Sequence, residues 1–223
     1  MQYTIAGEIA QFARLEFGSG ESVWLSTGAL MAYSDGVQWQ PRVPGGLGGA
    51  VRRTLAGEGA ALTYAEAHGA GQFALIASNA PGRIATWHLA DGPVIATRGS
   101  FLAAWGEDVD ISVIIARRAG AAFFGGAGLF LQRIAGRGTV LLHGSGDFEQ
   151  YNLGPGEPLV ISTGNLAAFA DTVDYDIRTV GSIRRALFGG EGVFMTRLTG
   201  PGRVLLQSLK RGATGSSGSG SSG

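Results

Sequence analysis

Apolar and polar residues alternate with strict period two in three separate stretches of this chain: Val37-Gln38-Trp39-Gln40, Val109-Asp110-Ile111-Ser112-Val113 and Val173-Asp174-Tyr175-Asp176-Ile177. That alternation predicts half-buried β-strands, because successive side chains on a strand point to opposite faces. Upstream of each lies a second β-prone run that ends at a glycine. These runs are Val23-Trp24-Leu25-Ser26-Thr27 before Gly28, Val94-Ile95-Ala96-Thr97-Arg98 before Gly99, and Leu159-Val160-Ile161-Ser162-Thr163 before Gly164. Downstream, the nearly continuous apolar runs Phe73-Ala74-Leu75-Ile76, Val140-Leu141-Leu142 and Val204-Leu205-Leu206 predict strands buried on both faces. Few windows carry a 3.6-residue period, so helix is expected only as short turns around 47–55 and 182–187.

The glycines put these segments in register. They number 39 of 223 residues, well above the usual share of about 7%. The pairs Leu15/Phe17, Trp87/Leu89 and Tyr151/Leu153 are each followed by a glycine, at Gly20, Gly92 and Gly156, and hairpin turns are predicted at Gly69/Gly71, Gly136/Gly138 and Gly200/Gly202. Several independent markers thus recur in one order at nearly constant offsets, which predicts a tandem repeat. The expected fold is all-β, with three pseudo-symmetric β-sandwich-like repeats near 7–76, 82–143 and 147–207. They form one compact domain over 1–211, followed by a flexible Gly/Ser tail at 212–223. Stacking or closing three such layers protects sheet edges.

The run Phe188-Gly189-Gly190-Glu191-Gly192-Val193-Phe194, followed by Leu198-Thr199-Gly200-Pro201-Gly202-Arg203-Val204, resembles the family named for altered inheritance of mitochondria, including its bacterial members. Leu153-Gly154-Pro155-Gly156-Glu157 leading into Ser162-Thr163-Gly164 adds to the likeness. The resemblance implies a β-rich fold of double-stranded β-helix type, related to the tryptophan RNA-binding attenuation protein. It also implies mitochondrial relatives associated with inner-membrane organisation. It supplies no catalytic residues to carry over, and fold alone does not confer function.

Composition narrows the choices further. Seventeen basic and seventeen acidic residues give zero formal charge, which argues against a dedicated nucleic-acid binder. The absence of cysteine removes disulfides, thiolate metal sites and cysteine nucleophiles, and fits a cytoplasmic setting. The stretch 119–131 is uncharged but short and interrupted by glycines, whereas a spanning helix needs about 20 apolar residues. No transmembrane segment or secretory signal is expected.

Candidate chemistry is sparse. His68, His88 and His143 are too scattered for a metal motif, and they read as surface or partner-satisfied histidines. Asp174 and Asp176 read as a solvated strand face rather than a glycosidase pair. Ser19 and Ser145 lie in Gly-Ser-Gly turns without the strand–elbow–helix context of a nucleophile. No catalytic residue, cofactor or metal is therefore assigned.

Arginine pairs give the one patterned candidate. Arg52/Arg53, Arg117/Arg118 and Arg184/Arg185 each precede a glycine-rich landmark, with Leu55, Phe123, Phe124, Leu187 and Phe188 close behind. Convergence of these groups at one end would create a basic and apolar docking face for an anionic surface. The expected function is a non-enzymatic interaction or scaffold protein that self-associates, binds a protein partner or docks peripherally on a membrane. The alternatives are an RNA- or polyanion-binding module, and an enzyme or small-molecule binder with its site between repeats.

Overall fold

The computed structural model describes residues 1–44, 61–115, 130–179 and 194–211. In chain order the strands are β1 (Gln2–Ala6), β2 (Phe12–Phe17), β3 (Ser22–Leu25), β4 (Leu30–Tyr33), β5 (Val37–Arg42), β6 (Leu62–Ala67), β7 (Gln72–Ala77), β8 (Gly82–His88) and β9 (Val94–Thr97). They continue with β10 (Phe101–Ile115), β11 (Phe130–Ser145), β12 (Phe148–Leu153), β13 (Pro158–Ser162), β14 (Leu166–Ala170), β15 (Asp174–Thr179), β16 (Phe194–Thr199) and β17 (Gly202–Gln207). Short 3-10 turns occupy Leu89–Asp91 and Thr163–Asn165. The protein is nearly all β, and among the described residues no helix is long and apolar enough to cross a membrane. The turns expected at 47–55 and 182–187, and the tail at 212–223, lie outside the described residues.

Period-two patterning accounts for the strands directly. In β2, Ala13, Leu15 and Phe17 are buried while Arg14 and Glu16 face out. β9 is instead buried along its whole length, because Val94 and Ala96 pack into a core on one face and Ile95 into a core on the other. The three alternating stretches fall in β5, in β10 and, from Asp174 on, in β15.

Strand pairing is antiparallel throughout the ladders. β2, β8 and β12 pair with β7, the later half of β11, and β17. Those three central strands take β4, the early half of β10, and β14 on their other side. A second group comprises β3–β6–β5, β9 with the early half of β11 and the later half of β10, and β13–β16–β15. Two further ladders link these groups. β3 meets β10 with Leu25 opposite Ala103 and Trp24 opposite Ala104, and β9 meets β14 with Ala96 opposite Ala168, Ile95 opposite Phe169 and Val94 opposite Ala170.

The result is a four-stranded sheet β1-β2-β7-β4, a long ten-stranded sheet, and a three-stranded sheet β13-β16-β15. The long sheet has two lobes joined through β10 and β11, and Leu62 and Trp87 of one share a core with Val94, Ala168 and Leu205 of the other. One further core, with Leu15, Leu25, Ile76 and Leu102, lies between the first sheet and the first lobe. Another, with Ile95, Ile161, Phe169 and Leu198, lies between the second lobe and the last sheet.

One sequence expectation needs correction. Gly136 and Gly138 do not make a hairpin turn: β11 runs through them, paired with an equally continuous β10. The two strands approach so closely that a Cβ on Gly106 would sit 2.1 Å from the Arg137 carbonyl oxygen, and one on Gly138 would sit 2.0 Å from that of Trp105. Glycine is used here for close approach rather than for reversal.

Candidate interaction surface

Seven described strands pair on one side only: β1, β4, β5, β8, β12, β13 and β15. Of these, β4 pairs only with β7, and β13 only with β16. An edge strand exposes a row of backbone donors and acceptors suited to pairing with another chain. Here the edges also carry apolar side chains. Met31 and Tyr33 of β4 are exposed, and the Trp39 indole N–H donates to the Tyr33 hydroxyl at 3.1 Å, extending the apolar face onto β5. On β13, Val160 is exposed beside an open groove of about 490 Å³ whose walls include Phe148, Tyr151, Leu159 and Leu206.

A buried polar seam lies elsewhere. Arg211, just beyond β17, donates from its guanidinium to the Nδ1 and carbonyl oxygen of His143 at 2.8 Å each, and to the Ser145 hydroxyl at 3.1 Å, with the Ser100 hydroxyl as a further acceptor. Desolvation, helped by the Arg211 charge and opposed by the Ala80 carbonyl, pushes the His143 pKa down to about 4. Burial lowers Arg211 itself to about 10. Thr97 adds bonds from its hydroxyl to the Leu166 and Ala167 carbonyls at 2.8 and 3.0 Å. His143 is neutral near pH 7 with Nδ1 occupied by arginine, and the Ser145 hydroxyl accepts from that arginine. The seam ties strands together and leaves no activated nucleophile.

The remaining sequence candidates separate in space and character. His68 and His88 are exposed, Ser19 sits in an exposed turn, and Asp174 and Asp176 stand in β15 opposite Thr199 and Arg197. Among the described residues no group of three or more His, Asp or Glu is placed to hold a metal ion. The docking residues Arg52, Arg53, Leu55, Arg117, Arg118, Phe123, Phe124, Arg184, Arg185, Leu187 and Phe188 all lie outside the described residues. Their segments follow β5, β10 and β15, whose last residues pair with the first residues of β6, β11 and β16: Arg42 with Leu62, Ile115 with Phe130, Thr179 with Phe194.

Sequence reasoning missed the edge residues and the Arg211 seam. A faint signal existed for the first: Met31 and Val160 are apolar within strands that come first and last in their series.

Comparisons with other proteins cover nearly the whole chain. Residues 3–209 match the family model described as Mitochondrial biogenesis AIM24. An uncharacterised protein of Streptococcus pyogenes serotype M6 is 32% identical over 219 residues, spanning 94% of this chain and 86% of that one. The crystal structure of a Streptococcus pyogenes protein superposes with a TM-score of 0.77 at 25% identity, covering 94% of each chain.

Proposed function

The chain belongs to the Mitochondrial biogenesis AIM24 family, and from that premise we propose that it acts as a non-enzymatic interaction scaffold whose sheet edges recruit partners by strand addition. In strand addition, main-chain hydrogen bonds to an open edge give affinity and alternate side chains give specificity. The observation that carries this reading is the exposed apolar side chains on two of the open edges: Met31 and Tyr33 on β4, and Val160 above its groove on β13.

Residues 1–211 are read as one domain of three copies of a unit, near 7–76, 82–143 and 147–207. The recurrence of one partner order in β2–β7–β4, β8–β11–β10 and β12–β17–β14 supports that reading. The arginine-bearing segments extend the scaffold to an anionic surface, in a cytoplasmic and membrane-peripheral setting.

Photo-crosslinking tests the scaffold in cells. A photoreactive residue at position 31 or 160 is expected to trap partners, and one at exposed Asp35, off both edges, is not. Equal trapping at all three positions, or none, overturns it. Lysine at Met31 and Val160 serves as the blocked control, because a charge on an edge strand discourages pairing.

A further inference from the structure

Two of the free edges, β13 and β4, are complementary halves of a joint that the chain already makes twice. Count from Gly28, Gly99 and Gly164. The residue three before each is Leu25, Ala96 or Ile161, and the residue four after is Ala32, Ala103 or Ala168. In the first internal joint Leu25 pairs with Ala103, and in the second Ala96 pairs with Ala168. The strand that receives the joint carries the same irregularity in each case, a register shift between Leu30 and Ala32, Phe101 and Ala103, and Leu166 and Ala168. What is left over is Ile161 on β13 and Ala32 on β4, in sheets separated by both lobes of the long sheet.

Exposure follows the same logic. Met31 is 58% exposed, whereas its counterparts at the internal joints, Leu102 and Ala167, are 1% and 0% exposed. Val160 is 56% exposed against 4% for Ile95. Tyr151, which lines the groove under β13, is 38% exposed, while Leu15 and Trp87 at the matching places are at 0% and 2%. Leu15 shares its core with Leu102 and Leu141, and Trp87 shares its core with Ala167 and Leu205, so in each joint the following unit covers the preceding one. The first unit has nothing to cover: Leu75, the counterpart of Leu141 and Leu205, is half-buried on the outer side of β7.

We infer that β13 of one copy pairs antiparallel with β4 of a second copy, Ile161 opposite Ala32 and Val160 opposite Tyr33, so that copies of this chain assemble head to tail. The Met31 and Leu75 face of the incoming copy fills the groove lined by Tyr151 and Leu206. Such a contact joins two different patches and regenerates the same two free edges with every copy added, so it builds rings or filaments rather than closed dimers. The inference rests on the scaffold reading and names its partner.

The chain contains no cysteine, so introduced thiols report only on designed contacts. Facing residues of an antiparallel pair lie about 4.5–5.5 Å apart between Cα atoms, within disulfide reach. Full-length Tyr33→Cys and Val160→Cys variants, mixed and mildly oxidised, are expected to give a covalent heterodimer that neither gives alone. The double variant is expected to give a ladder. Both positions are exposed, so folding is preserved, and circular dichroism verifies it. Sedimentation of the cysteine-free chain should show mass rising with concentration. Val160→Lys should weaken that association by about tenfold or more, because pairing would bury an uncompensated charge. A chain that stays monomeric at high concentration with no mixed disulfide overturns head-to-tail assembly, as do products confined to Tyr33–Tyr33 or Val160–Val160 pairs. The scaffold reading survives either result if photoreactive residues at 31 or 160 still trap a different protein, and it falls with the inference if they trap nothing.

Discussion

The Arg211 guanidinium donates to Nδ1 of His143 across 2.8 Å, joining residues 68 positions apart in a partly buried contact. Burial and this positive neighbour hold the imidazole neutral down to about pH 4. An unfolded histidine takes up its proton near pH 6.5. Below that value the unfolded chain binds a proton that the folded chain refuses, so the stabilising contribution is fully present above pH 6.5 and is lost as pH falls towards 4. The loss should approach about 3 kcal/mol from this group alone. Denaturant unfolding between pH 7 and pH 4 measures it. His143→Gln, which puts at this place the residue found at Gln207, should flatten that part of the profile.

Removing the guanidinium acts on the same contact from the other side. Arg211→Met keeps the apolar stem but leaves the His143 carbonyl and the Ser100 and Ser145 hydroxyls without their donor. A cost of about 2–4 kcal/mol is expected. NMR titration should also show the His143 pKa moving up, because the positive neighbour is gone.

Gly82 should tolerate no side chain. A Cβ there would lie 1.8 Å from the Gly144 carbonyl oxygen, at the point where Ala10, Gly82 and Gly146 form parallel bridges. The contact is with backbone, so nothing can rotate away. Gly82→Ala should cost about 3 kcal/mol or more, read as a lowered midpoint in chemical denaturation.

Arg203 of β17 stacks 4.6 Å above the ring of buried Trp87 in β8. Arg203→Ala should destabilise the fold by about 1–2 kcal/mol, the range for a partly desolvated cation–π contact. Arg203→Lys should recover part of that, since lysine keeps the charge but loses the planar stacking surface.

The all-β class was legible because alternation on half-buried strands leaves a direct trace, as in Val173 to Ile177, whereas in β5 Val37 is buried but Trp39, at the next inward position by sequence, is exposed. The sequence signal at Gly136 and Gly138 misleads because a glycine that permits close approach of two paired strands looks the same in sequence as one that permits reversal. Met31, Leu102 and Ala167 are all apolar and occupy one position after their glycines, so no local pattern reveals that only the first is exposed. That difference depends on whether another layer follows. The Arg211–His143 contact was hidden by its sequence separation and by the position of Arg211 next to a Gly/Ser stretch.

The continuity of β10 and β11 through both lobes of the long sheet sets how the molecule comes apart. Neither lobe can loosen without tearing the ladder they share, so the middle of the protein opens as one cooperative block, with amide protons that exchange only on global unfolding. The two outer sheets have no such shared ladder, and their amides should exchange first.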